Sequence, residues 1–502
     1  MKRFCMRRAA LLTAFTLVLA AAPARAQLPA PVTQALRAAA LPDDALSALV
    51  LRGDATVLAH LADRPMHPGS TIKLVTTLVA LETLGPAFRG RTELRTTAPQ
   101  RGDVLAGDLV LRGGADIDLS TETLTGMLRA LRYQGIRRIE GRLVVDRGLF
   151  NPARPDLGVT PFDEYPDAYY NVIPDALLVN RNMLQLDMRS TNGDVRVAMQ
   201  PDLQDVRVAS AMKLTDTDCA RWEDGWKPGV QTRPDGSVQV LLGGTFPKNC
   251  VVSYGINILD RQQYLDRLLR RIWRDLGGSI AGATVEAATP PGTRLLAEHV
   301  SRPLPELVRD TNKPSDNALA RTLFLSLGAL QADPVLGSRP LDAGQAANPA
   351  PATTTARAEA VVRTWLRAHG IADTGLVLEN GSGLSRIVRI TPVQMAGVLQ
   401  AGLRSDWAPE FLSSLPIAGV DGTLRRRLQD SPAAGHARMK TGTLNGVNAV
   451  AGYVPDANGR PCIVVAMVNG DAAGNARARA VLDALVDWVA RSGGGNPAAD
   501  AR

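Results

Sequence analysis

Three short stretches of the chain carry residue types and spacings able to do chemistry. In His67-Pro68-Gly69-Ser70-Thr71-Ile72-Lys73, a serine and a lysine stand three apart at the head of a largely apolar run ending at Leu84. The spacing of Ile72, Val75, Leu78, Val79 and Leu84, closed by Gly85-Pro86, predicts a buried helix with Ser70 and Lys73 on one face of its first turn. A serine hydroxyl is a poor nucleophile until a neighbour takes its proton. A desolvated amine near the positive end of a helix dipole can stay neutral enough to take it. Spacing alone is a weak signal, because Ser210-Ala211-Met212-Lys213 repeats it with no apolar helix behind.

The second stretch is Ser315-Asp316-Asn317, just ahead of an amphipathic helical pattern. Its hydroxyl can relay a proton, and the Asn317 amide can hold a peptide group. The plainer reading is a helix cap, which all three residue types make well. Ser190-Thr191-Asn192 has the same form but ends a strand pattern. The third stretch is Lys440-Thr441-Gly442-Thr443, inside a strand pattern. An amine and two hydroxyls there make a donor-rich strand edge suited to a carboxylate, and Gly442 allows close backbone approach. An exposed strand lysine is the plainer reading of Lys440.

Lysine usage adds weight to these stretches. The chain has seven lysines against 50 arginines, so arginine serves wherever positive charge suffices. Arginine cannot give up its proton, and a proton-shuttling amine must remain lysine. Lys73, Lys313 and Lys440 fall in the motifs, whereas Lys213, Lys227 and Lys248 read as surface charges.

Elements must bring these stretches together from far apart. A short helix (31–40) leads to two apolar strands (46–51 and 55–61) with Arg52-Gly53-Asp54 as their hairpin turn, and the Ser70 helix follows. After Phe88 the pattern becomes β-rich, with strands at 92–97, 104–112, 141–146, 183–189, 195–200 and 237–242 and helices at 121–133 and 261–276. Beyond about residue 290, helices at 318–330, 356–369 and 391–403 precede strands at 437–441, 447–454 and 462–468 and a helix at 476–490. Residues 331–355 lack periodicity and read as a surface loop, and 492–502 as a disordered tail.

Composition bounds the compartment. Lys2, Arg3, Arg7 and Arg8 precede an apolar run, and Ala24-Arg25-Ala26 is a small-x-small cleavage site, so residues 1–26 read as a signal peptide cut after Ala26. Its loss lowers the net charge from +8 to +3, too mild to argue for nucleic acid. No later stretch reaches the roughly 18 apolar residues of a membrane span. In an oxidising compartment Cys219 and Cys250 can close a loop; three unpaired thiols is the alternative, with Cys462 in a buried apolar stretch. No Cys-x-x-Cys or His-x-x-x-His spacing supports a metal, and no cofactor is expected. A Gly-x-Ser-x-Gly elbow and a phosphate-binding Gly-x-x-x-x-Gly-Lys-Ser/Thr loop are both missing, and the five histidines show no arrangement suiting a base.

In order, Ser-x-x-Lys, Ser-x-Asn and Lys-Thr-Gly resemble the signature of penicillin-binding proteins and serine β-lactamases. Ser315 lies 245 positions after Ser70, and a compact β-lactamase has no room for so large an insertion. Flanking stretches narrow the resemblance: Leu109 to Asp116, Ile139 to Asp146, Asn312 to Asn317 and Asn380 to Arg386 look like the D-alanyl-D-alanine carboxypeptidase/endopeptidase family, the class C low-molecular-mass penicillin-binding proteins. Asn380 departs from the aspartate common there, and no chemistry is assigned to it.

The resemblance implies an α/β (α+β) transpeptidase-like domain from 27–94 and 290–502, with one five-stranded antiparallel sheet flanked by helices. Residues 95–289 would form β-rich inserted domains, two in number. It implies a periplasmic serine DD-peptidase acting on peptidoglycan stem peptides and their cross-links, with β-lactams as covalent inhibitors. Ser70 would be the nucleophile, Lys73 its base, and Ser315, Asn317 and Lys440 further catalytic groups. Thr441, Gly442 and Thr443 would bind substrate, with Asp146, Arg386 and Asn445 near the stem-peptide side chain; for Asp146 a turn residue is an equal alternative. A peripheral membrane contact is compatible with this reading, and oligomeric state is left open. The rivals are a serine β-lactamase and a non-catalytic β-lactam-sensing or wall-binding protein.

Overall fold

Five strands that the sequence splits between its two ends form one antiparallel sheet. In the computed structural model, which describes residues 27–342, 353–471 and 476–493, their order is Ala55–His60, Leu46–Arg52, Pro461–Asn469, Val447–Pro455, Arg438–Leu444. The apolar runs of the three inner strands do not alternate with polar residues because both faces are covered. Period-two geometry divides each run between two cores. Ile463, Val465 and Met467 join the side holding the Lys73–Leu84 helix; Val464, Ala466 and Val468 join the side covered by helices Ala30–Ala38 and Ala476–Arg491. The Lys73–Leu84 helix is sunk in its core, with Leu74, Val75, Leu78, Val79 and Leu81 all fully buried. Truncating Leu78 to alanine there should cost about 2–5 kcal/mol.

The β-rich region opens and closes on a paired couple of strands. Arg91–Thr96 and Arg294–Val300 are antiparallel neighbours at one side of a second five-stranded sheet. The expected limits, 95 and 289, therefore cut inside this sheet, and the region reaches several residues further at both ends. Leu109–Gly114, helix Thr121–Tyr133 and Leu143–Asp146 make a β-α-β crossover in it, giving parallel pairs that a β-rich pattern alone did not foretell. Smaller sheets built from Leu184–Ser190, Val195–Gln200, Val206–Ser210, Lys213–Thr215, Trp226–Thr232, Val238–Pro247 and Val251–Ile256 pack beyond it, with helix Arg261–Asp275. Cys219 and Cys250 are joined in a disulfide there, and Cys462 is a buried free thiol.

Several elements differ from expectation. The run 104–112 is two strands, Val104–Leu105 and Leu109–Gly114, broken where Gly107 and Asp108 meet the Gly141 backbone. Residues 331–355 are not wholly loop: Leu330–Asp333 pairs with Gly337–Pro340, turning at Gly337 with φ +81°. Polar and proline residues hide this hairpin from any periodicity. Ser492 is packed, taking a 2.8 Å hydrogen bond from Arg52. The expected signal peptide (1–26) and residues 494–502 of the expected tail lie outside the described residues.

Candidate active site

The two ends of the chain meet backbone to backbone. The Ser70 turn, Gly69–Ile72, crosses the edge strand Arg438–Leu444 so closely that a Cβ on Gly442 would lie 2.4 Å from the Pro68 carbonyl oxygen. A Cβ on Gly383 would lie 2.1 Å from the Gly69 carbonyl oxygen. Only glycine fits at either position, and three segments remote in sequence converge on Ser70 as a result.

Lys73 is fully buried directly beneath Ser70. Its Nζ stands 2.9 Å from Ser70 Oγ, 2.7 Å from Asn317 Oδ1 and 2.5 Å from the Ser382 carbonyl. Burial pushes its pKa well below the usual lysine range, and the charge of Lys440 pushes it further. A neutral amine has two hydrogens and one lone pair. With two carbonyl-type oxygens taking the hydrogens, the lone pair is left for the Ser70 hydroxyl proton. Lys440, also fully buried, has its Nζ 2.8 Å from Ser315 Oγ and donates to the Thr441 carbonyl at 2.8 Å. Burial lowers its pKa to about 7, so it can exchange a proton with Ser315 near neutrality.

Ser315 has φ +68°, a left-handed conformation that a serine holds only where its surroundings enforce it. The next two residues supply that enforcement. Asp316 caps helix Asn317–Leu327 by accepting from the Leu319 N–H at 2.9 Å, and it also accepts from the Tyr169 hydroxyl at 2.5 Å. Asn317 donates to the Tyr170 carbonyl at 3.1 Å while its Oδ1 faces Lys73. Cap and site, the two readings of this motif, are thus divided between Asp316 and its neighbours.

Above these groups lies a cleft of 420 Å³ lined by Ser70, Ser315, Asn317, Arg386, Thr443 and Asn445 on the sheet-and-helix side. Phe162, Asp163, Glu164 and Tyr170 line it from the inserted region. Arg386 lies over the Phe162 ring, 4.0 Å from its centroid. Thr441 donates to Thr423 Oγ1 at 2.7 Å, and Lys313 pairs with Asp421 at 2.6 Å, bracing that neighbouring turn.

Asp146 requires a correction. It is buried away from this cleft, with Oδ1 accepting from the Gly148 N–H and Oδ2 from the Thr289 N–H and hydroxyl. Its carboxylate is spent on a turn, and the separate cleft it borders includes Arg95 and Arg112. The acidic residues at the Ser70 cleft are Asp163 and Glu164, which sequence reasoning missed because 150–175 has no periodicity to place it. Ser382 was missed as well, although its Asn380–Arg386 stretch was noticed. Asn380 is structural: its side chain binds the Ser382 N–H and hydroxyl and the Leu384 carbonyl. His67 is a packing residue, with Nδ1 accepting from the Gly69 N–H, so its Nε2–H donates to the Ser385 carbonyl. No group of three metal-ligating side chains occurs among the described residues.

Fold and site bring one serine, Ser70, against a buried lysine amine, an arrangement able to serve a serine hydrolase. A profile of the D-Ala-D-Ala carboxypeptidase 3 (S13) family matches residues 32–492. The D-alanyl-D-alanine carboxypeptidase DacB of Haemophilus influenzae is 27% identical over 433 residues, 84% of each chain. The D-alanyl-D-alanine carboxypeptidase of Actinomadura sp. strain R39 is 30% identical over 442 residues, 85% of this chain and 77% of that one. The crystal structure of penicillin-binding protein 4 (DacB) from H. influenzae superposes with a TM-score of 0.71 at 23% identity, covering 91% of this chain and 97% of that one. The chain belongs to the D-Ala-D-Ala carboxypeptidase 3 (S13) family, and it is a serine-type D-Ala-D-Ala carboxypeptidase.

Proposed function

We propose that the protein cleaves the terminal D-Ala-D-Ala bond of peptidoglycan stem peptides, and the cross-links between them, through an acyl-enzyme on Ser70. The observation that carries this is the Lys73 amine, buried, pushed toward neutrality and 2.9 Å from Ser70 Oγ. Ser70 attacks the scissile carbonyl as its proton passes to Lys73. The N–H groups of Ser70 and Thr443 hold the oxyanion, each worth roughly 3–4 kcal/mol. The C–N bond breaks as Ser315 gives its proton to the leaving amine and takes in its place the one Lys73 received from Ser70, which leaves Lys73 neutral, while Lys440 holds the Ser315 hydroxyl. Water then attacks the ester, with Lys73 again the base. Thr441 and Thr443, beside Lys440, hold the terminal carboxylate. Asn317 orients the acyl side, and Asn445 and Arg386 flank its side chain. Asp163 and Glu164, facing Arg386 across the cleft, take the amine-recognition role expected of Asp146.

The enzyme works after export, with 1–26 removed. No helix among the described residues is long and apolar enough to cross a membrane. The test is to give the mature protein peptidoglycan fragments and then penicillin, following both by mass. D-Ala release, slower cross-link cleavage and a long-lived penicilloyl adduct are expected, all lost in Ser70→Ala. Fast penicillin turnover would instead identify a β-lactamase, and an untouched peptide pool a non-catalytic β-lactam binder.

A further inference from the structure

Arg321 lies one helical turn beyond Asn317, is only 8% exposed, and has no carboxylate partner among the described residues. Its Nη1 donates to the carbonyls of Asn171 and Val172, at 3.3 and 2.8 Å. Among the described residues neither its Nε nor its Nη2 has an acceptor. Burial lowers its pKa to about 10, an unusual state for a guanidinium. Buried charges are ordinarily paired, because an unpaired one forfeits its hydration without compensation.

This guanidinium lines a cavity of 610 Å³ next to the catalytic cleft, sharing Phe162 and Leu384 with it. Ile173, Leu259, Phe324 and Leu325 give the cavity apolar walls. The other charged groups on its wall are largely committed: Asp156 and Asp260 to Arg154, and Arg261 to Asp156 and Asp175. Two acceptors beside it have no partner among the described residues. Asn171 Oδ1 is buried without a partner, and the exposed Glu379, near enough to Arg321 to act on its charge, has none.

We infer that this cavity is a second binding site, taking the carboxyl-terminal residue of a peptide: its carboxylate on Arg321, its N–H on Asn171 and its side chain on the apolar wall. The ligand differs from that of the Ser70 cleft in that nothing here can attack it. The site is also wired to the catalytic lysine. The backbone of 170–172 that holds Arg321 also accepts from Asn317, and Asn380 on the cavity wall fixes the Ser382 loop whose carbonyl faces Lys73. Occupancy should therefore change the rate of Ser70 acylation.

The test uses N-acetylleucine and its neutral primary amide as probes, titrated by calorimetry against Ser70→Ala protein so that no turnover intervenes. The acid should bind about tenfold more tightly than the amide, and Arg321→Met, its fold checked by circular dichroism, should abolish that preference. Equal binding of acid and amide to the unsubstituted cavity overturns the inference whether or not Arg321→Met folds. So does an acid preference that survives in a folded Arg321→Met protein. Kinetics then separate two sources of the carboxylate. If Arg321→Met loses activity on a cross-linked peptide dimer but not on a short D-Ala-D-Ala peptide, the ligand is a second arm of the substrate. If both activities persist and added N-acetylleucine alters acylation only with Arg321 present, the ligand is a separate peptide.

Discussion

The sheet formed by the two chain ends and the inserted region contribute to one cleft in different ways. The sheet side acts through regular structure at backbone contact: a buried helix, an edge strand, and glycines where a methyl group would collide. The inserted region acts through one irregular segment around 160–172, whose side chains and carbonyls reach across to Asn317, Asp316 and the cleft wall. The strand Val195–Gln200, exposed on alternate residues, shows how much of that region faces solvent. Under the proposed function, that difference would give bond-breaking to the sheet and choice of substrate to the insertion.

The sharpest way to break that division is Gly442→Ala. A Cβ 2.4 Å from the Pro68 oxygen must push the edge strand off the Ser70 turn, so penicillin acylation should fall at least about a hundredfold, equivalent to roughly 2.7 kcal/mol. An acylation rate within a few-fold of the parent would show that the crossing is not needed.

Next in size is the pH response. Lys73 must be neutral to accept the serine proton, so D-Ala release should fall about tenfold per unit as pH drops below its lowered pKa. Stability should follow the same direction. The unfolded chain protonates Lys440 at the ordinary 10.5 and the folded one at about 7, so the unfolded state binds more protons between those values. Stability therefore rises with pH across that window, and Lys440→Met should flatten the rise in a denaturant titration.

Smaller again is Asp163→Asn, which should lower kcat/KM about tenfold for an amine-bearing stem peptide and little for its acetylated analogue, while penicillin labelling persists. Asp146→Ala should show no such selectivity. The smallest effect on chemistry belongs to Cys219→Ser with Cys250→Ser. It should cost the inserted region about 2–4 kcal/mol, seen as earlier melting, with acylation unchanged.

Legibility in the sequence follows the same border. Helix Lys73–Leu84 and the central strands were readable because burial on all sides writes long apolar runs, and caps and glycines mark their ends. Ser70, Lys73, Ser315, Asn317 and Lys440 could be nominated because each sits at the start of such an element or inside one. Asp163 and Glu164 lie in a segment held by Asn171 and Tyr170 side-chain hydrogen bonds to Asp163, an arrangement that leaves no period. Asp146 could be read as either ligand or turn because a strand-ending aspartate looks alike whether it faces a ligand or, as here, caps the turn after it. Arg321 is one of 50 arginines in the sequence, and only the fold sets it apart as buried without a carboxylate partner among the described residues.

The strand Pro461–Asn469 is the last of the five in the chain but lies at the centre of their sheet, between Leu46–Arg52 and Val447–Pro455. Asn469, at its end, closes on His67, 402 residues earlier. A ribosome or an export channel releasing the chain from its amino end thus holds back the middle of the sheet until nearly everything else has emerged. Until then the Leu46–Arg52 edge of the hairpin is uncovered, and Arg438–Leu444, which crosses the Ser70 turn, has no central strand to join it to the hairpin. Nascent chains should be inert toward penicillin, and any product ending before residue 461 should remain so, however well its inserted region has folded.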